Sequence, residues 1–289
     1  MKFGLWFGNT GRYVDPNKAV ALAQAAEAAG FESLWTVEHT IVPAGYASAY
    51  PYDPSGKMPG GREDFPLPDP LIWMAFVAAA TSKIRLATGI LILPQHNAVH
   101  AGKQIATLDH LSRGRILLGV GIGWLREEFA ALGVPFEERA ARTDEYIAAL
   151  RELWAAEKPT FNGRFVAFKD AYCRPQPINK SVPIIIGGHS EAAARRAGRL
   201  GDGFFPYGRD ASQLIRVARQ TAQATGRDPA RLELTLSFPA DAGDLGTLQR
   251  LGVSRVLVPT IGSARLNPPI RGPEDLGKWT ETIQRHAEA

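Results

Sequence analysis

The chain has 289 residues, 45% hydrophobic and 21% charged, which supplies a large core and excludes a disordered or fibrous protein. Its net charge of +4 is too small to mark a nucleic-acid binder, and no Lys/Arg run interleaved with aromatics adds to it. Cys173 is the only cysteine, so no intramolecular disulfide forms; with no signal-peptide layout at the start and no long apolar span, a cytoplasmic protein without a membrane partner is expected.

Strand and helix patterns alternate along the chain. Phe3–Phe7 reads as a short apolar strand, and Pro16–Ala29 as a helix started by Asp15-Pro16 and stopped by Gly30. Ser33–Val37 is the second strand. Asp69 as N-cap with Pro70 behind it predicts a helix running to Thr81. Arg85–Leu93 reads as one strand, Asn97–Ser112 as a helix, Arg115–Val120 as a strand and Arg139–Ala156 as a long periodic helix. Strands at Pro183–Ile186, Gly203–Phe205, Leu232–Phe238 and Ser254–Val258 follow. Helices at Glu191–Leu200, Ala211–Thr225, Leu245–Leu251 and Pro273–Ala287 separate and close them.

Eight strand–helix repeats without a dividing linker predict an α/β protein, a single (β/α)8 TIM barrel over residues 1–289. Strand cores such as Ile184-Ile185-Ile186 are apolar throughout, as in strands buried on both faces. Two connections are too long for a plain barrel. The Pro-rich connection from Glu38 to Pro68 follows strand two, at the face where barrel active sites lie, and its stretch from Thr40 to Pro68 is a candidate lid. The insertion Lys158–Val182 precedes strand five and carries a predicted hairpin turn at Asn162-Gly163.

Four clusters stand at strand ends. His39, beside Glu38, has the chemistry to donate a proton or hold a substrate oxygen; the plainer alternative is a loop-capping histidine. Gly89-Ile90 interrupts strand three, either as a bulge against a planar ligand or as a packing glycine. Gly119, Gly121 and Gly123 alternate into Trp124 at the end of strand four, as if something large and flat lay against the main chain. Gly187-Gly188-His189-Ser190 opens a helix directly after strand five, offering free N–H groups to a phosphate, or forming an ordinary turn. His96 and His100 stand four apart, but no third ligand accompanies them; a capping and a surface histidine are expected, and no metal site.

Taken in order, Ala29–Trp35 leading to Glu38-His39, Arg85–Ile90, Leu108–Trp124 and Ile186–Ser190 continuing to Gly201–Phe204 resemble the luciferase-like monooxygenase superfamily, and within it the class using the deazaflavin coenzyme F420. The resemblance implies a (β/α)8 barrel with an insertion before strand five, and a non-prolyl cis peptide against the cofactor ring at Gly89-Ile90. It further implies Glu38 and His39 at cofactor and substrate, and a phosphate cradle at Gly187, Gly188, His189 and Ser190. Gly123 and Trp124 would flank the ring. Some deazaflavin dehydrogenases carry a catalytic glutamate where Trp124 stands, which argues against sugar-phosphate oxidation and leaves Glu127 or Glu128 as substitutes.

The expected function is therefore an F420-dependent oxidoreductase acting on a small-molecule substrate, with His39 catalytic and Glu38 placing the cofactor or His39. The alternatives are an FMN-dependent monooxygenase, and a cofactor-binding protein without turnover. Family members are commonly homodimers, and the same is expected here.

Overall fold

Eight parallel strands close on themselves in the computed structural model, which describes residues 1–58, 61–207, 211–239 and 245–287. Pro59 and Gly60 of the long loop lie outside the described residues. Strand β1 (Lys2–Trp6) pairs with β2 (Ser33–Thr36) on one side and β8 (Arg255–Pro259) on the other. β2 pairs with β3 (Arg85–Thr88, resuming at Leu91–Ile92), and β3 with β4 (Ile116–Gly121). β5 (Ile184–Gly188), β6 (Gly203–Pro206) and β7 (Glu233–Ser237) complete the ring back to β8.

Side chains along each strand alternate between two cores, as the pleat requires. Phe3, Leu34, Leu86, Ile116, Ile184 and Val256 face outward under the helices. Trp6, Trp35, Ala87, Leu117, Ile185, Phe205 and Leu257 fill the barrel interior as a separate cluster. The floor is closed by Arg255, fully buried, whose guanidinium makes two 2.8 Å hydrogen bonds to Glu32. Such a buried cation is tolerated only because it is paired.

The helix starts follow their capping residues. Asp15 caps α1 (Pro16–Ala29), Asp69 caps α2 (Pro70–Ala78), Asn97 caps α3 (Ala98–Leu111) and Ser190 caps α6 (Glu191–Leu200), each accepting from an N–H three residues on. Between them lie α4 (Arg126–Ala131) and α5 (Arg139–Ala155); α7 (Ala211–Ala224), α8 (Leu245–Arg250) and α9 (Thr280–Ala287) follow. Among the described residues no helix is long and apolar enough to cross a membrane.

Four expectations are corrected. β3 is not one strand over Arg85–Leu93: it breaks at Gly89-Ile90 and then turns into a 3-10 segment at Leu93–Gln95. Helix α4 has no counterpart in the sequence pattern, because six residues are too few for a 3.6-residue repeat to declare itself. Pro273–Trp279 forms a 3-10 segment ahead of α9, so the closing helix is shorter than its pattern. In the insertion, Asn162 sits on a strand, Phe161–Asn162 pairing with Ala167–Phe168, and the turn is the four-residue stretch 163–166. The Glu145 carboxylate accepts from the N–H groups of Arg164, Phe165 and Val166, a long-range anchor that overrides the local Asn-Gly preference.

Candidate functional site

The β3 bulge forms one wall of the C-terminal mouth of the barrel. Gly89 donates its N–H to Thr36 O at 2.6 Å, and the Trp6 indole donates to Gly89 O at 3.2 Å. The Gly89-Ile90 peptide is cis, as the resemblance implies. The glycines of β4 find their reason here. A Cβ on Gly119 would stand 1.9 Å from the Thr88 carbonyl oxygen, and one on Gly121 2.6 Å from Ile90 Cδ1. Across the mouth, a Cβ on Gly187 would stand 2.6 Å from Ile90 Cγ2. The glycines therefore admit the displaced backbone of β3 and the side chain of Ile90, rather than directly receiving a flat ligand. Gly123 has φ +78°, and a side chain there would meet Ile92 and Phe129, both at 2.7 Å.

Beyond the bulge, two histidine–carboxylate pairs cross between strand ends. His39 Nδ1 lies 3.0 Å from Glu128 Oε2, while Glu128 Oε1 accepts from Thr40 N at 2.6 Å and Ile41 N at 3.3 Å. Glu128 is fully buried, and no described group hydrogen-bonds His39 Nε2. A carboxylate on Nδ1 fixes the ring's orientation and leaves Nε2 for a ligand. Sequence proximity pairs Glu38 with His39; the structure does not. The Glu38 carboxylate turns to β3, where Oε2 accepts from Ile92 N and Oε1 lies 2.8 Å from His96 Nε2. His96 also follows the 3-10 turn as its C-cap, but it is no plain surface histidine. Residue separations of 89 and 58 hide both pairs from any local pattern.

Burial alone would lower the pKa of His96, but the hydrogen bond and charge of Glu38, with Asp69 and Glu128 beyond, outweigh it and raise it. A histidine raised in the folded state contributes most below its unfolded pKa and loses that contribution as pH climbs through the folded value. The melting-temperature advantage of the wild type over His96→Gln should thus be greatest below about pH 6.5 and shrink at higher pH. A constant difference across pH 5 to 9, read by thermal melts, contradicts a charged Glu38–His96 pair.

Helix α4 also holds the long loop. Glu128 fixes its start, and Glu127 Oε1 accepts from Ala47 N at 2.7 Å and Ser48 N at 3.1 Å. The Ser48 hydroxyl and these N–H groups hold the Glu127 carboxyl down at about 2. Buried Asn9 ties the other end, donating to Val37 O at 2.8 Å and Pro68 O at 3.2 Å. Asn9 is a residue that sequence patterns missed, because a single asparagine after a strand carries no signal of its own. The loop's aromatics then close over the mouth. Trp124 meets the rings of His39, Tyr46 and Tyr50 edge-on, at 5.7, 5.5 and 5.3 Å. Tyr52 lies 5.1 Å from the His189 ring and 4.7 Å from Tyr207, and its burial pushes the phenol up to about 12.

Gly187-Gly188-His189-Ser190 stands opposite, at the start of α6. Gly188 has φ +151°, a conformation that L side chains rarely adopt, and a Cβ there would meet Ala193 at 2.6 Å. The first-turn N–H groups of α6 lack intrahelical carbonyl partners; Ser190 Oγ accepts the one from Ala193. Burial lowers the pKa of His189, leaving it uncharged at neutral pH. The sequence-predicted residues His39, Gly89, Ile90, Trp124 and Gly187–Ser190 are thus gathered around one mouth, with Glu38 and Gly123 as supports. Among the described residues no group of three His, Cys, Asp or Glu could hold a metal ion. His96 and His100 remain unlinked.

The histidine–carboxylate pairs, the bulge and the glycine cradle thus share the C-terminal mouth, the face where the active sites of such barrels lie. The family model for luciferase-like monooxygenases matches residues 1–244, and the chain belongs to that family. An uncharacterized protein of Mycobacterium tuberculosis is 31% identical over 98% of this chain and 97% of its own length. The F420-dependent glucose-6-phosphate dehydrogenase of Kineococcus radiotolerans is 29% identical, over 93% of this chain and 76% of its own. The FMNH2-dependent dimethylsulfone monooxygenase of Pseudomonas fluorescens is 35% identical, over 65% of this chain and 47% of its own. The named relatives are oxidoreductases of both cofactor types.

Proposed function

We propose that this chain is an F420-dependent oxidoreductase that moves a hydride between the deazaflavin and a small organic substrate, with His39 as the proton-handling group. The observation that carries the reading is the His39–Glu128 pair, which leaves Nε2 with no described hydrogen-bond partner at the same end of the barrel as the Gly89-Ile90 bulge. The residues present fit such a coenzyme. The side-chain-free cradle at Gly187-Gly188 leads into the helix start at Ser190, suited to a phosphate, and the bulge gives a planar wall of backbone for a ring. Bound there, the deazaflavin supplies the hydride chemistry, and the protein supplies orientation and a dry site.

His39 Nε2 would give a proton to, or take one from, a substrate oxygen. The buried charge of Glu128 would hold the ring in place and stabilise it when protonated. Glu38, locked by Ile92 and His96, would act on the cofactor through the β3 wall instead of touching His39. The loop clamped by Glu127 and Asn9 would exclude water. Trp124 stands where the resemblance implies a catalytic glutamate in some deazaflavin dehydrogenases, so sugar-phosphate oxidation is not proposed.

Match to an F420 enzyme along nearly the whole chain favours this reading. The higher identity to an FMN monooxygenase, across 65% of the chain, favours the second: reduced FMN with molecular oxygen. Anaerobic turnover separates them. Product formed with F420 in the absence of oxygen supports the first; product formed only with reduced FMN and oxygen replaces it with the second.

A homodimer is the further part of this reading. Helix α2 has no charged side chain within Pro70–Ala78, and Ile72 and Phe76 are 70% and 49% exposed. A helix apolar all round is ordinarily covered, and a second copy meeting it with the same apolar face is the simplest cover. Asp substitutions at Ile72 and Phe76 should convert a dimer to a monomer in sedimentation; an unchanged mass rules α2 out as the interface.

A further inference from the structure

The side chains that bridge the mouth form an unbroken aromatic path. Trp6 lies 5.9 Å from Tyr207, Tyr207 4.7 Å from Tyr52, and Tyr52 5.3 Å from Tyr50. Tyr50 lies 5.3 Å from Trp124, and Trp124 5.7 Å from His39. All but one of these contacts involve residues of the lid or of Trp124, so the path crosses from the barrel rim to the proton-handling histidine. Such surfaces bind flat apolar faces by area and edge contacts.

Charge at the same place is negative or cancelled. The Glu38 and Glu128 carboxylates are buried, and both oxygens of each are engaged. Among the described residues the one cation on a lid aromatic is Lys57, 4.1 Å from the Tyr46 ring. Its ammonium is held by Tyr46 O at 3.1 Å, and Glu63 at 3.6 Å balances its charge. His189 is uncharged at neutral pH through burial. An anionic substrate group desolvated beside His39 would meet the buried Glu128 carboxylate, an unfavourable placement.

Resting on the reading that the chemistry takes place at His39, we propose that this site takes a neutral, flat, apolar substrate with one oxygen for His39, of the aryl or conjugated ketone, aldehyde or alcohol class, and discriminates against anions. The oxygen reaches Nε2, and the rings lie along the Trp124–Tyr50–Tyr52 path.

Two probes of nearly one shape, one neutral and one anionic, test this: 2-acetylnaphthalene and 2-naphthoate, titrated calorimetrically into the protein after its occupancy by oxidised F420 has been measured separately. The ketone should bind at least about tenfold more tightly than the carboxylate. Tyr52→Arg, which places a guanidinium on the same ring path, should shift that ratio toward the carboxylate by about tenfold or more. Equal affinities, tighter naphthoate, no binding of either probe, or a ratio unmoved by Tyr52→Arg overturns the proposal. If F420 does not bind while the ketone is still preferred over the carboxylate, the substrate class stands and the coenzyme reading alone falls.

Discussion

Replacing His39 with glutamine is expected to lower kcat by about 10²–10⁴-fold while cofactor binding persists. Nδ1 is committed to Glu128 at 3.0 Å, Thr40 and Ile41 complete the carboxylate's partners, and Nε2 has no protein partner among the described residues. The His39 side chain keeps 11% of its surface exposed, so Nε2 can meet a ligand while Nδ1 stays fixed. Glutamine keeps one amide near Nδ1 but cannot carry a proton at Nε2. Glu128→Gln is the companion: it keeps the shape and removes the charge, and should lower kcat by about 10–10²-fold with KM little changed. Glu127→Gln, one residue away, should loosen the loop and raise KM more than it lowers kcat. If steady-state kinetics find His39→Gln fully active, His39 is a structural residue and the proton handling lies elsewhere.

Gly119→Ala is expected to be the most destabilising small substitution in the barrel. A Cβ there stands 1.9 Å from a backbone carbonyl, Thr88 O, which cannot move without shifting the bulge that Gly89 N and Trp6 Nε1 also hold. Overpacking of a rigid core costs about 1–3 kcal/mol, and a clash with backbone belongs at or above the upper end. Activity should fall with it, since the same bulge faces the site. Gly277→Ala is the control: nothing lies within 4 Å of its added carbon, and a change of about 0.5 kcal/mol or less is expected. Urea denaturation of the two variants checks this; equal stability would mean that β3 does not press against β4 as described.

Most of the barrel was legible because each element announces itself locally. The capped starts at Asp15, Asp69 and Ser190, and the apolar strand cores at Ile184–Ile186 and Val256–Val258, need no tertiary information. What sequence could not show were pairings over distance. Neighbouring Glu38 and His39 part company, each taking a partner from β3's extension or α4. The glycines of β4 were visible, but their cause was not: it is the carbonyl of Thr88 and the side chain of Ile90 on another strand. Glu128, the residue that orients His39, sits on a helix too short to have a pattern, and only the departure at Trp124 drew notice to that stretch.

The most direct test of the whole account is a crystal structure of the protein soaked with F420. The account predicts the deazaflavin ring against the Gly89-Ile90 face, the phosphate on the N–H groups around Gly188–Ser190, and His39 Nε2 directed at the open face of the ring. A ring bound outside the barrel mouth, or a mouth that stays closed by Tyr50 and Tyr52 with the coenzyme elsewhere, would contradict it.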